Sequence, residues 1–304
     1  MSENIKNIPA SIHARLANKS RKSGKPFHEL LQNYGMERFL YRLSKTEFAN
    51  SFTLKGGLIF TVWEIELRRP TRDIDLLGSS ERNVKTIIQI LKAAVMTLAP
   101  EDGLFFDINT MQVEEKLVDV GRMGMSVNLL GYLGKAEIPI HIDIGFSDEI
   151  LSSAREISFP ALLSGMERPL LKGYSPEFVV SEKLHAMDRY VEAPSRWKDY
   201  YDVWLISEYF EFNVWSLQEA LITTFNNRNT KIPNHRPVFL SADFAFKYQA
   251  GWQSFLKKND LKLSGMDELS VLTEEIWKFL EAPLVNEISH PDTRQWKPAK
   301  RKWE

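Results

Sequence analysis

A mixed α/β fold with a helical C-terminal half is what this 304-residue sequence predicts, on three observations. A Gly-Gly turn, Gly56-Gly57, follows one short strand, and two aspartates, Asp73 and Asp75, alternate along another. Three strand-like runs then succeed one another between Leu104 and Phe146. Beyond Pro176, apolar residues recur at helical spacing through most of the chain.

In order, the segment from Pro9 to about Phe48 reads as helical. Ile12 and Leu16 share one spacing, and Phe27, Leu30, Leu31, Tyr34, Phe39 and Leu43 continue after a Ser-Gly-Lys-Pro break. Residues 52–54 are expected as a strand, 57–64 as a helix, 74–77 as a strand and 84–98 as a helix. Runs at 105–113, 123–133 and 137–146 predict an antiparallel extension of the sheet. In the last run Ile138, Ile140, Ile142 and Ile144 alternate with Pro139, His141, Asp143 and Gly145, so Asp143 projects away from an isoleucine face. EFVVSEKLHAMDRYVE and RWKDYYDVWLISEYF are two helices separated by a Pro-Ser break, with further helical pieces at 216–225, 243–256 and 266–280. The end, HPDTRQWKPAKRKWE, reads as a surface tail. The expected organisation is a helical lead-in (1–50), a catalytic core (51–165) and a helical region (166–304) contributing to an active-site cleft.

Composition narrows the function classes. Hydrophobic residues at 43% support a sizeable core. Lys and Arg total 39 against 40 for Asp and Glu, which excludes a uniformly basic nucleic-acid coat and leaves room only for local basic clusters. The absence of cysteine removes disulfides, thiolate nucleophiles and cysteine-ligated zinc. No apolar run reaches the roughly 18 residues that would suggest a membrane span. The first residues lack the apolar core of a signal peptide, so a cytoplasmic location without membrane contact is expected.

The chemistry centres on Asp73 and Asp75, which point to one face of their strand. Hard divalent cations take oxygen ligands and bridge phosphates, so a carboxylate pair beside a glycine turn and the arginines Arg68, Arg69 and Arg72 suits nucleotidyl transfer. Asp143 is the candidate third acid, able to complete a metal site or assist deprotonation of a hydroxyl. The alternative for Asp75 or Asp143 is a turn cap or a partner for arginine. Gly56 and Gly57 form either a plain turn or a phosphate seat; no Gly-x-x-x-x-Gly-Lys-Ser/Thr occurs. Arg72 touches phosphate or pairs with Asp73 or Glu66, and Lys55 is a strand residue of unassigned role. His141 shares the spacing of Asp143 but reads more readily as structural, as does His185. The tryptophans read as buried, with Trp296 and Trp303 in the basic tail the candidates for base stacking.

LKGG, RPTRDIDLLG, HIDIGFSD, SEKLHAM and SRWKDYYDVWLI, in that order and behind the lead-in NYGMERFLYRLSKTEFANSFTLKGG, resemble the AbiEii/AbiGii toxin family of nucleotidyltransferases over roughly residues 10–210. The resemblance implies a polymerase-β-like nucleotidyltransferase fold: a mixed sheet with flanking helices. It implies metal-binding roles for Asp73 and Asp75 and matches Asp143 to a second acidic strand. It marks Lys183 and an aspartate of KDYYD as active-site groups, favouring Asp199. Asp202 remains its substitute or a structural partner of Arg196 or Lys198. Read independently, Lys183 is either a cation for the triphosphate or a solvated helix residue. One departure stands out, since the Gly-Ser common in polymerase-β-like enzymes is Gly-Gly here.

The function so implied is Mg²⁺-dependent transfer of a nucleoside monophosphate from an NTP to RNA, the tRNA acceptor end, with one or two ions. The protein would be the toxin of a toxin–antitoxin or abortive-infection pair, bound by a cognate antitoxin. Modification of a protein hydroxyl and a silent nucleotide- or RNA-binding module are the rival readings. Candidate RNA contacts are Arg68, Arg69, Lys297, Lys300, Arg301 and Lys302.

Overall fold

A computed structural model describes residues 7–66, 69–78, 83–119, 122–147, 154–191, 196–263, 265–285 and 292–304. The chain divides into a sheet unit, 1–64 with 70–173, and a helical unit, 65–69 with 174–304.

The sheet unit is built on seven strands: β1 (Phe52–Lys55), β2 (Asp73–Gly78), β3 (Leu104–Asp119), β4 (Arg122–Leu133), β5 (Ala136–Phe146), β6 (Arg155–Ser158) and β7 (Leu170–Gly173). Their order is β3-β4-β5-β2-β1-β7-β6; β2 runs parallel to β5 and β1 parallel to β7, while the other neighbours are antiparallel. The mixed sheet matches the fold class expected from sequence. Its acid-bearing strands are central, and Ile138, Ile140, Ile142, Ile144, Ile74 and Leu76 are all buried.

Among the described residues four α-helices accompany the sheet: α1 (Ile8–Ser23), α2 (Phe27–Ser44), α3 (Ile59–Val62) and α4 (Val84–Met96). Asn7 caps α1 through Ala10 N–H, and Gly24 ends it at φ 72°, a left-handed value that glycine adopts cheaply. Gly35 lets α2 lie close on β5: a Cβ there would fall 2.6 Å from Ile138 Cγ2. The isoleucine face is therefore the core face, and alternation sends Asp73, Asp75 and Asp143 to the other. Each fully buried isoleucine contributes about 1.5–3 kcal/mol relative to exposure.

Buried ion pairs fix two connections in this unit. Arg38 binds Glu37 at 2.5 Å and the Glu167 carbonyl at 2.6 Å, and Glu37 accepts from Leu162 N–H at 2.7 Å. Arg42 binds Asp102 at 3.0 Å and donates to the Leu104 carbonyl at 2.8 Å, setting the turn into β3.

The helical unit contains α5 (Pro176–Arg189), α6 (Trp197–Tyr209), α7 (Val214–Asn227), α8 (Ala242–Lys258) and α9 (Leu269–Val285), with short strands β8 (Phe212–Asn213), β9 (Gln295–Lys297) and β10 (Lys302–Trp303). Ser181 on α5 and Thr224 on α7 share a buried hydrogen bond of 2.7 Å. Gly251 admits the Trp197 ring, since a Cβ there would lie 2.9 Å from it, which brings α8 against α6. Among the described residues no helix is long and apolar enough to cross a membrane.

Three expectations need correction. The C-terminal segment is not a surface tail: β9 pairs with both β8 and β10, Trp296 is 1% exposed and donates to the Ser207 carbonyl at 2.7 Å, and Trp303 donates to the Phe279 carbonyl at 3.0 Å. Indole rings with a nearby carbonyl repay burial despite the charged residues around them. The helix expected at 57–64 is a 3₁₀ turn and a single α-turn, α3, ended where Glu64 takes φ 54°. Strands β6 to β10 were not foreseen, being two to four residues long and set among prolines and charges.

Candidate active site

Strand register assembles a polar row on the face opposite the isoleucines. Lys55 on β1 stands opposite Asp75 on β2, Asp75 opposite Asp143 on β5, Asp143 opposite Ser126 on β4, and Ser126 opposite Glu114 on β3. The next row on this face is Asp73, His141, Asn128 and Gln112. Neighbouring strands lie about 4.8 Å apart, so directly opposed carboxylates are close enough to repel one another unless a cation intervenes.

The Gly-Gly turn has a specific steric duty here. Gly56 adopts φ 65°, and a Cβ on it would fall 2.0 Å from Asp75 Oδ2. The turn thus yields its side-chain volume to the Asp75 carboxylate, and any larger residue would displace that acid.

Asp143 is engaged through one oxygen. Lys116 Nζ lies 2.5 Å from Oδ1 and His141 Nε2 lies 3.2 Å from the same atom. The other imidazole nitrogen, Nδ1, is 2.8 Å from Asn128 Oδ1, which holds the ring edge toward Asp143. His141 does share the Asp143 face, as its spacing suggested.

The all-oxygen donor set of exposed Asp73 and part-buried Asp75 and Asp143 fits a hard divalent cation, and Gly56 leaves the volume that Asp75 occupies. Among the described residues, however, no three His, Asp or Glu side chains converge on one point as they stand. Lys116 and His141 hold Asp143 through its Oδ1 alone.

A second cluster lies within the helical unit. Lys183 Nζ on α5 binds Asp202 Oδ2 at 2.5 Å and Asp199 Oδ1 at 3.1 Å, both on α6. Arg69 grips Asp202 through two hydrogen bonds, at 3.1 Å from Nε and 2.9 Å from a terminal nitrogen. Burial opposes charge on Lys183, yet Asp202 and Asp199 outweigh it and hold the ammonium above its ordinary range. Burial likewise opposes ionisation of Asp202, and Arg69 and Lys183 overcome it, pulling its carboxyl below the usual range.

The two aspartates of KDYYD consequently differ. Both Asp202 oxygens are consumed by Arg69 and Lys183, not by the Arg196 or Lys198 expected from sequence. Asp199 Oδ2 is buried without a hydrogen-bond donor, and Arg196 approaches it only to 3.5 Å. Asp199 Oδ2 is thus engaged only by the ion pair with Arg196, whereas each Asp202 oxygen accepts at least one hydrogen bond.

The remaining candidates are placed as follows. Among the described residues Arg72 forms no ion pair with Asp73 or Glu66; its carbonyl accepts a long contact of 3.5 Å from Gln32. Arg68 lies outside the described residues. His185 is buried edge-on to Phe225, with centroids 5.1 Å apart. The cations of the C-terminal segment are paired: Lys297 with Glu211, Arg301 with Glu208, and Lys300 and Lys302 with Glu304. Sequence reasoning missed Lys116 because the strand was ended at Val113, before a charged stretch. The alternation of Glu114 and Lys116 on one side was the available signal.

Two solved structures from H. pylori resemble this chain. One, a candidate nucleotidyltransferase, has a TM-score of 0.48 at 16% identity and covers 83% of this chain and 96% of its own. The other, JHP933, has a TM-score of 0.45 at 18% identity, covering 83% and 93%. No curated protein matched. The model of a family described as the nucleotidyl transferase AbiEii toxin of type IV toxin–antitoxin systems matches residues 38–282. That match spans β2, β5, α5 and α6 with Asp73, Asp75, Asp143, Lys183, Asp199 and Asp202, and the chain belongs to the AbiEii family of nucleotidyltransferases.

Proposed function

We propose that this nucleotidyltransferase transfers a nucleoside monophosphate from an NTP to RNA, at the tRNA acceptor end, and that this transfer is its toxic activity, restrained by a cognate antitoxin. The carrying observation is the register of Asp75 opposite Asp143 with Gly56 making room for the Asp75 carboxylate. The RNA acceptor is carried over from the resemblance of the five motifs.

Asp73, Asp75 and Asp143 are proposed to hold Mg²⁺, one or two ions. Bound there, the metal supplies charge stabilisation to the triphosphate and to the leaving pyrophosphate. Gly56 keeps Asp75 in place, and the Gly56-Gly57 turn and Arg72 are proposed as the nucleotide contacts. Lys183, held protonated by its two carboxylates, is suited to act as a fixed cation and unsuited to act as a base near neutral pH. Asp199, whose Oδ2 accepts no hydrogen bond and is met only by the Arg196 ion pair, is proposed to accept a hydrogen bond from substrate, and Asp202 to lock Lys183 in position.

Purified protein incubated with Mg²⁺, each labelled NTP in turn and total tRNA is expected to yield labelled tRNA. Mass spectrometry of the product should locate the added nucleotide at the acceptor end. Label on protein alone would assign a protein hydroxyl as the acceptor, and NTP binding without any labelled product would refute the transferase reading. Asp199→Asn is expected to reduce labelling at least about tenfold and to destabilise the helical unit less than Asp202→Asn, because Asp199 makes one longer contact to Lys183 while Asp202 is bound by both Lys183 and Arg69.

A further inference from the structure

We infer that Lys116 is a built-in counter-ion that a divalent cation must displace or oppose at Asp143, so that the acid row binds free metal weakly by construction. The inference rests on the metal-site reading of Asp75 and Asp143.

Three observations carry it. Lys116 stands opposite Gly124 in the β3–β4 register, and the next residue of β4 on that side is Ser126. The lysine stem thus crosses β4 where no bulky side chain stands, spanning two strand spacings, roughly 10 Å, to reach β5. Its Nζ ends 2.5 Å from Asp143 Oδ1, the oxygen that His141 also meets at 3.2 Å. Asn128 in turn fixes the imidazole at 2.8 Å, so Asp143 is held from two sides.

The charge arrangement gives the consequence. Asp75 faces Asp143 across one strand spacing, with Asp73 one row away and Lys55 opposite Asp75 on its other side, and neighbouring carboxylates on one sheet face repel one another. At the Asp143 end of the row, Lys116 offsets that repulsion without metal. A bare divalent ion meets a site whose third acid is already neutralised, whereas a metal arriving on a triphosphate brings its own negative charge. Lys116 thereby favours the nucleotide-bound metal over the free ion.

Binding of Mn²⁺ without nucleotide, followed by electron paramagnetic resonance at low ionic strength, reads this directly and needs no turnover. Lys116→Met is expected to tighten Mn²⁺ binding roughly fivefold, the scale of a partly exposed ion pair, with Lys116→Arg near wild type and Asp75→Asn much weaker. Lys116 is partly exposed, so methionine should be accommodated; if that variant does not fold, Lys116→Gln gives the same reading. Unchanged or weaker binding in the charge-removed variant, with Asp75→Asn still impaired, would overturn the role of Lys116 and leave the metal site standing. Equal Mn²⁺ binding by wild type and Asp75→Asn would remove the metal site and the inference together.

Discussion

Asp143 in the sheet unit and Asp202 in the helical unit each take a lysine at 2.5 Å, yet the two contacts are different physical objects. The Lys116 and Asp143 side chains are 36% and 28% exposed, whereas Lys183 and Asp202 are 9% and 2% exposed. Water screens the first pair, so its net worth is about 0.2–1 kcal/mol and a competing cation can take its place. The second pair has paid its desolvation cost and is completed by Arg69; removing one member leaves buried charge uncompensated. Equal distances therefore separate an exchangeable contact from a fixed one, and burial decides which is which.

Breaking each contact in turn should expose the asymmetry. Asp202→Ala is expected to cost about 3–5 kcal/mol of stability, and Asp143→Ala less than about 1 kcal/mol. Seven of the eight tryptophans belong to the helical unit and only Trp63 to the sheet unit, so indole fluorescence in urea reads the Asp202→Ala loss, and far-UV circular dichroism, which reports both units, reads the Asp143→Ala loss. Comparable losses in the two variants would abolish the distinction.

Gly56→Ala tests whether the exposed acids are sterically placed. The left-handed φ and the 2.0 Å approach to Asp75 Oδ2 predict about 1–3 kcal/mol of strain together with loss of transfer. Gly165 has φ 78° but nothing within 4 Å of an added Cβ, so Gly165→Ala should carry the backbone strain alone and keep activity. Equal activity in both variants would deny Gly56 its role.

A smaller effect separates the units by pH. Burial pushes the Glu37 and Asp102 carboxyls up, against the pull of Arg38 and Arg42. The folded sheet unit then binds more protons than the unfolded chain, and these groups lose stability for it as pH rises from about 4 through their raised values. Asp202 is shifted down, so its contribution is present above about 4 and is lost as pH falls through its folded value. In acid, tryptophan fluorescence should report weakening of the helical unit, and Asp202→Asn should remove that dependence. An unchanged acid profile in that variant would assign the dependence to other groups.

Much of the sheet was legible because its strands are patterned: the isoleucine alternation of β5 placed Asp143 on the polar face before any register was known. Helices α4 to α6 announced themselves by apolar spacing and by breaks at Pro176 and the Pro-Ser pair. The tail was misread because two tryptophans buried by carbonyl hydrogen bonds lie among lysines, and local polarity outweighed them. The Lys116–Asp143 contact and the Arg69–Asp202 grip were beyond reach for another reason. Their partners lie 27 and 133 residues away, and neither strand register nor helix packing at that range is written in local spacing.

The proposed reaction centre is the row of Asp73, Asp75 and Asp143. Labelling of RNA from NTP and inhibition of growth should be measured together for wild type, Asp73→Ala and Asp75→Ala, with melting curves alongside. The expected result is wild-type folding in both variants, loss of labelling by about a hundredfold or more, and loss of growth inhibition. Full toxicity and labelling in both folded variants would contradict it.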